Sequence, residues 1–267
     1  MVGVCHEVNT MNNLNLINAV DVRCSRRKYL EMPVDPTIAS KLRAVITEYN
    51  QATGIRLELV VNNGKAFSGF TKSYGMFSGV NNYVCLIADK NNDTAIERLG
   101  YYGELLVLHA TALGLGTCWV GGAFSRDRMP VKLLDSEKIV CAILMGSTDK
   151  KYSFKEKLIH GITHRKTKKA EEMVASNDPL TPDWFMQGMR AVQKAPSALN
   201  RQPVMFSYKD GKVYATVKDV PSDTLSIDFG IAKLHFEIGS GGGRWLWGNG
   251  EEFVHSSHTD TVSSSNL

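Results

Sequence analysis

Three short segments of this chain hold residue types suited to binding a phosphorylated aromatic ligand. The first, Arg23-Cys24-Ser25-Arg26-Arg27-Lys28-Tyr29, gathers cations around a hydroxyl. A guanidinium grips a phosphate bidentately through its planar fork, and a serine hydroxyl adds a bond to a phosphate or polyol oxygen. Taken alone, such a basic turn also fits a solvated surface. The second, Ala195-Pro196-Ser197-Ala198-Leu199-Asn200-Arg201-Gln202-Pro203, is bracketed by prolines. They restrict the backbone, so Ser197 and Asn200 are presented at a fixed angle, or the segment simply links a helix to a strand. In the third, Ala112 to Gly122, the glycines of Gly114-Leu115-Gly116 let a backbone approach a flat ring. A dinucleotide loop fits poorly there, because such a loop opens a helix after a strand whereas these glycines close one.

These segments need elements to hold them. Leu16 to Val22 reads as a short helix, and Pro36 to Tyr49 as a longer one with Ile38, Leu42, Val45 and Ile46 at helical spacing. Leu57 to Val61, Tyr83 to Ala88 and Lys138 to Met145 read as buried strands. Glu97 to Leu113 is a mostly apolar helix that stops at Gly114. Downstream the order recurs in smaller form: a helix from Pro182 to Lys194, the Pro-Ser turn, a strand from Lys212 to Val217 and a helix from Ile227 to Ile238. The predicted class is α+β or α/β. The Ser-rich stretch from Ser256 to Leu267 has a composition that buries no core and is expected to be disordered.

The recurrence suggests an internal duplication. Laid without gaps, Tyr102 to His109 faces Phe229 to Phe236, and Gly114-Leu115-Gly116 faces Gly241-Gly242-Gly243. Two buried helices that both end in glycine would also align in this way by chance.

With these segments in view, the chain resembles the nitroreductase-like family of FMN-dependent proteins. That family carries an R-x-S-x-R-x-[YF] start, a P-S-x-x-N-x-Q-P turn and a G-L-G-T-C-W segment, all present here. The resemblance covers most of residues 16–175 and the turn at 195–203. It implies a nitroreductase-like α+β fold in which Arg23, Ser25 and Arg27 hold the phosphate and ribityl chain. It further implies that Gly114, Leu115 and Gly116 lie against the isoalloxazine ring and that Arg165 and Lys166 reach the phosphate. One departure matters. The P-S-x-x-N turn usually follows the arginine motif closely, but here Pro196, Ser197, Ala198 and Asn200 lie far downstream. Family members are homodimers whose flavin sits between subunits, with that turn donated by the partner. A fused pair would keep one copy of each part and complete one site. The expected organisation is therefore a half at 16–175, a degenerate half at 176–255 and the tail, forming an intramolecular pseudo-dimer. Such a chain works as a monomer, with a homodimer as the alternative. The implied activity passes reducing equivalents from NAD(P)H through FMN to a small acceptor such as a nitroaromatic or quinone, with no side-chain acid or base required. A rival is a flavin-binding or sensing module without turnover, its ring face covered by Gly239 to Gly243, Trp245 and Trp247.

Composition narrows the partners. A net charge of +4 is spread along the chain, and the basic run His164 to Lys169 stands without a nucleic-acid motif, so no nucleic-acid partner is expected. Five cysteines without a C-x-x-C spacing indicate reduced thiols rather than disulfides or zinc. No run of about 18 apolar residues suggests a membrane span, and the N-terminus, with Glu7 and Asn9 among its first residues, lacks a signal-peptide charge pattern, so the expected compartment is the cytoplasm. Cys118 is expected to be structural, and His109 and His235 to be packed core histidines.

Overall fold

A computed structural model of the chain describes residues 13–68, 76–90, 92–149, 151, 166–177, 181–219 and 222–256. Helices α1 (Asn13–Val22) and α2 (Pro36–Thr53) lead into the first sheet. Helix α2 starts where it does because Asp35 accepts from the amides of Thr37 and Ile38, with Pro36 at the first helical position. It ends at Gly54, whose φ of 69° continues the chain in a left-handed conformation. The first sheet contains β1 (Arg56–Val60), β2 (Tyr83–Asp89), β3 (Gly116–Val120) and β4 (Glu137–Gly146) in the order β1-β2-β4-β3, all antiparallel. Both faces are covered. Val84, Leu86 and Ala88 point into one core while Tyr83, Cys85 and Ile87 point into another, which is why β2 reads as an unbroken apolar run. Helix α3 (Asp93–Ala112) connects β2 to β3, and Gly114 turns the chain at φ 83°.

The second sheet contains β5 (Val174–Asn177), β6 (Met205–Lys209), β7 (Lys212–Thr216), β8 (Gly243–Trp245) and β9 (Glu252–His255), in the order β5-β6-β7-β9-β8. Leaving out β5, which adds parallel to β6, the order β6-β7-β9-β8 repeats β1-β2-β4-β3 strand for strand, again antiparallel throughout. Helix α4 (Asp183–Val192) precedes β6 as α2 precedes β1, and α5 (Asp223–Gly239) stands between β7 and β8 as α3 stands between β2 and β3.

The caps correct the register expected from sequence. Asn92 accepts from the amide of Ala95 at the start of α3, and Ser222 accepts from the amide of Leu225 at the start of α5. Matched on those caps, Asp93-Thr94 faces Asp223-Thr224 and Gly100 faces Gly230, not Gly103. Helix α3 has 20 residues and α5 has 17, so matching their C-terminal glycines displaces the starts by three.

The two halves meet where α3 crosses α5. A Cβ at Gly100 would stand 2.3 Å from the Ile227 carbonyl oxygen, and one at Gly230 would stand 2.0 Å from that of Glu97. This reciprocal approach has room for hydrogen alone. Beside it Lys233, wholly buried, donates to Glu97 at 2.6 Å and to the carbonyls of Leu246 and Gly248 at 3.0 and 3.1 Å. Burial lowers the Lys233 ammonium pKa, and the Glu97 carboxylate opposes that shift.

Gly230→Ala should destabilise the chain by about 2 kcal/mol or more, because the overpacked atom is backbone and does not yield. Gly121→Ala, whose Cβ would meet nothing within 4 Å, is the control and should leave the denaturation midpoint unchanged. Glu97→Gln should cost about 3 kcal/mol in the same denaturation series, since it strands the buried Lys233 charge.

Candidate functional site

The arginine segment lies along the start of β3. Ser25 bridges Thr117, the Arg26 amide donates to the Thr117 carbonyl at 2.8 Å, and the Ser78 amide donates to the Arg27 carbonyl at 3.0 Å. The first and third motifs are thus adjacent. Arg26 turns inward and donates to Thr148 Oγ1 and the Asp149 carbonyl, both at 2.8 Å. Its side chain, with Thr148, occupies the space where a Cβ on Gly116 would stand, so that glycine is closed over by the chain itself. Gly114 is exposed with nothing within 4 Å of its missing Cβ, and Leu115 is buried in the core. Arg23 behaves differently. Its side chain is only 10% exposed, its Nε lies 3.6 Å from Glu104 Oε1, and that buried nitrogen has no hydrogen-bond partner among the described residues.

The Pro196 to Asn200 turn is held in an unusual conformation. Leu199, Asn200 and Gln202 have φ values of 52°, 51° and 50°, a region that side-chain-bearing residues adopt only when their surroundings impose it. Three contacts impose it here. Ser197 Oγ accepts from the Gln202 amide at 2.9 Å, Gln202 Nε2 donates to the Asn200 carbonyl at 2.9 Å, and the Ala198 amide donates to both carboxylate oxygens of Asp228 at 3.1 Å. The basic element of the first half docks onto this turn. The Lys168 amide donates to Gln202 Oε1 and Lys168 Nζ to the Gln202 carbonyl, both at 2.8 Å, and the Lys166 carbonyl accepts from Gln202 Nε2 at 3.4 Å. Lys166 itself is exposed. Arg165 lies outside the described residues.

Two links join the groups. Lys194, just before the turn, pairs with Asp21, just before Arg23. Deeper, Glu104 is fully buried and accepts from Trp119 Nε1 at 2.7 Å, and its other oxygen lies 3.0 Å from His235 Nε2, while His235 Nδ1 lies 3.1 Å from the Ala191 carbonyl. Both ring nitrogens thus face oxygens, Nδ1 the Ala191 carbonyl and Nε2 the Glu104 carboxylate. Glu104 therefore touches Arg23, the tryptophan of the glycine segment and, through His235, the helix that carries the turn. Sequence reasoning missed Glu104 and Asp228, and it named Gln202 within the turn without giving it a role. The available signal was a carboxylate inside an apolar helix, which requires a partner when buried. His235 is a buried, bonded core residue and Cys118 is buried beneath the sheet. Burial pushes His109 down to about 4, and it lies 3.4 Å from the Tyr49 hydroxyl. Trp245 is core, bonded to the Lys233 carbonyl, and Trp247 packs on Tyr101 and Tyr102.

Among the described residues no helix is long and apolar enough to cross a membrane, and no group of His, Cys, Asp and Glu has the geometry of a metal site. No match was found among curated proteins. Among solved structures, one from Thermotoga maritima described as a putative nitroreductase is 19% identical, with 94% of this chain and 97% of that chain covered at a TM-score of 0.61. An FMN-dependent nitroreductase from Clostridium difficile R20291 is 22% identical over 52% of this chain and 91% of its own, at a TM-score of 0.40. A nitroreductase family protein from Clostridium difficile 630 is 20% identical over 64% of this chain and 100% of its own, at a TM-score of 0.43. The family model described as "Putative TM nitroreductase" matches residues 15–240, and by that match the chain belongs to this nitroreductase-like family of oxidoreductases.

Proposed function

We propose that this chain binds one FMN between its two halves and works as an NAD(P)H-dependent oxidoreductase on a small acceptor such as a nitroaromatic or quinone. The observation that carries the proposal is Arg23: its guanidinium is nine-tenths buried, its Nε lacks a hydrogen bond, and the nearby Glu104 carboxylate stands at 3.6 Å while bonded to Trp119 and facing His235, which leaves donor capacity that a phosphate would use. The fit extends to its neighbours. Ser25 and Arg27 stand beside it on the same strand-like segment, Ser197 accepts one bond and keeps its own proton to donate, and Lys166 is anchored against the turn. In this assignment Arg23, Ser25, Arg27, Arg165 and Lys166 would hold the phosphate and ribityl chain. Pro196, Ser197, Ala198 and Asn200 would approach from the second half, and of the Gly114, Leu115 and Gly116 segment only the open Gly114 would border the ring, since Leu115 is core and Gly116 is closed over by Arg26 and Thr148. Bound FMN supplies the hydride chemistry, and the chain's task is to bind it, orient it and leave one face open to donor and acceptor.

The proposal treats the halves, 16–175 and 176–255, as fused subunits, supported by their repeated strand order. One arginine motif and one P-S-x-x-N turn per chain then make one site, and a monomer suffices. The four described cysteines are free thiols, in keeping with a cytoplasmic setting.

Reconstituted protein should hold one FMN equivalent per chain while eluting as a monomer, and its yellow colour should bleach on anaerobic addition of NADH or NADPH and return on addition of a quinone. Failure to retain FMN refutes the proposal, and a retained flavin that neither cofactor bleaches identifies a binding module instead. Arg23→Ala should weaken FMN binding by about 10- to 100-fold, as loss of a charge-assisted bond worth roughly 1.5 to 3 kcal/mol implies, while the FMN-free protein still folds. Unchanged affinity by fluorescence titration would remove Arg23 from the site.

A further inference from the structure

We infer that Asp228 is a positioning residue for the flavin turn: its carboxylate, reaching from α5, anchors the Ala198 amide and thereby sets the strained backbone that meets the ligand. The inference rests on the flavin assignment and deepens it. Asp228 is 6% exposed and stands two residues before Gly230, so the helix crossing that joins the halves also fixes where this carboxylate points. Both oxygens lie 3.1 Å from the Ala198 amide, immediately before the left-handed residues Leu199 and Asn200. At the far end of the same turn, Gln202 is tied to Lys168 and Ser197. The turn is therefore pinned at both ends, by the Asp228 carboxylate at Ala198 and by the bonds of Gln202, one of them from the Lys168 ammonium, at the other. A small pocket behind the turn is lined by Ser197, Gln202, Asp228, Val192, Met173 and Ala232, and Asp228 itself is almost closed off from solvent.

That seclusion has a titration consequence. Burial pushes the Asp228 carboxyl up to about 7, while the Ala198 amide and the Arg201 guanidinium pull it the other way. Among the described residues the Cys141 thiol of β4, itself pushed up by burial, also feels the Asp228 charge. An ionised carboxylate is the stronger acceptor, so the pin tightens as pH rises through about 7. Its effect on stability has the opposite sign. The folded pKa lies above the ordinary value of 3.8, so the folded state retains a proton that the unfolded chain has released. Stability from this group is therefore lost as pH rises from about 4 to about 7, and the ionised pin is kept at the expense of stability.

The test compares FMN release from loaded wild type and from Asp228→Asn, followed by flavin fluorescence between pH 6 and 8.5. Asparagine keeps an acceptor oxygen and loses the charge. Wild type should release FMN several-fold more slowly relative to the variant at pH 8.5 than at pH 6, where the two should converge. Ionisation of the FMN phosphate affects both proteins alike, so the difference between them is the readout. The melting temperature of the FMN-free variant at pH 8 should equal or exceed that of wild type, which loss of a merely structural bond would not produce. Equal release rates across the range, or a variant that keeps the wild-type pH profile, would overturn the inference. If wild type takes up no FMN, the flavin assignment fails and amide exchange at Ala198 decides the pin alone. Slower exchange in wild type than in the variant at pH 8, but not at pH 6, supports the pin, and equal exchange at both overturns it.

Discussion

Everything distinctive about this chain depends on two helices approaching to backbone contact. Gly100 and Gly230 each lie against a carbonyl of the opposite helix, a separation that any side chain would widen. The pairing is reciprocal: the residue three before each glycine supplies the oxygen facing the other. Such a contact is what a two-fold interface between copies of one element produces, and here it lies within a single polypeptide whose sheets share one strand order.

Closeness at the crossing explains the buried ionic groups around it. Lys233 and Glu97, and Glu104 and His235, bridge α3 and α5 with exposures of 5% or less. Desolvating such pairs offsets most of their attraction, so their value lies less in net stability than in fixing one arrangement of the halves. Glu104 carries that arrangement into the candidate site, since the same carboxylate that meets His235 also lies beside Arg23 and holds Trp119. Asp228, on the face of α5 toward the turn, does the equivalent for the second half.

How much was legible in the sequence follows from where the information is local. Helix α3 was visible from its apolar content and its glycine stop, and β2 and β4 from apolar runs long enough to be buried on both faces. Strands β8 and β9, three and four residues long, offer no period to detect, and β3, which begins on a glycine, was not predicted as a strand. The recurring order of elements was visible, but the alignment drawn on the C-terminal glycines differs in register from the one the helix caps give, because α3 and α5 are of unequal length. Gly103 and Gly230, identical in that alignment, have different work: one admits Trp119 and Leu86 of the first sheet, the other admits a helix backbone. The arginine and P-S-x-x-N segments were legible as motifs, since their composition is itself the chemistry. What they bond to was not: Glu104, Gln202 and Asp228 act through contacts between residues distant in sequence, which no spacing encodes.

The central claim is that one chain assembles a flavin pocket from parts that lie in both halves. A crystal structure of the FMN complex tests it most directly. The account predicts the flavin phosphate within about 3 Å of the Arg23 guanidinium, with Ser197 of the same chain at hydrogen-bonding distance from that flavin. A flavin bound elsewhere, or one reached by Ser197 of a second chain, would contradict it.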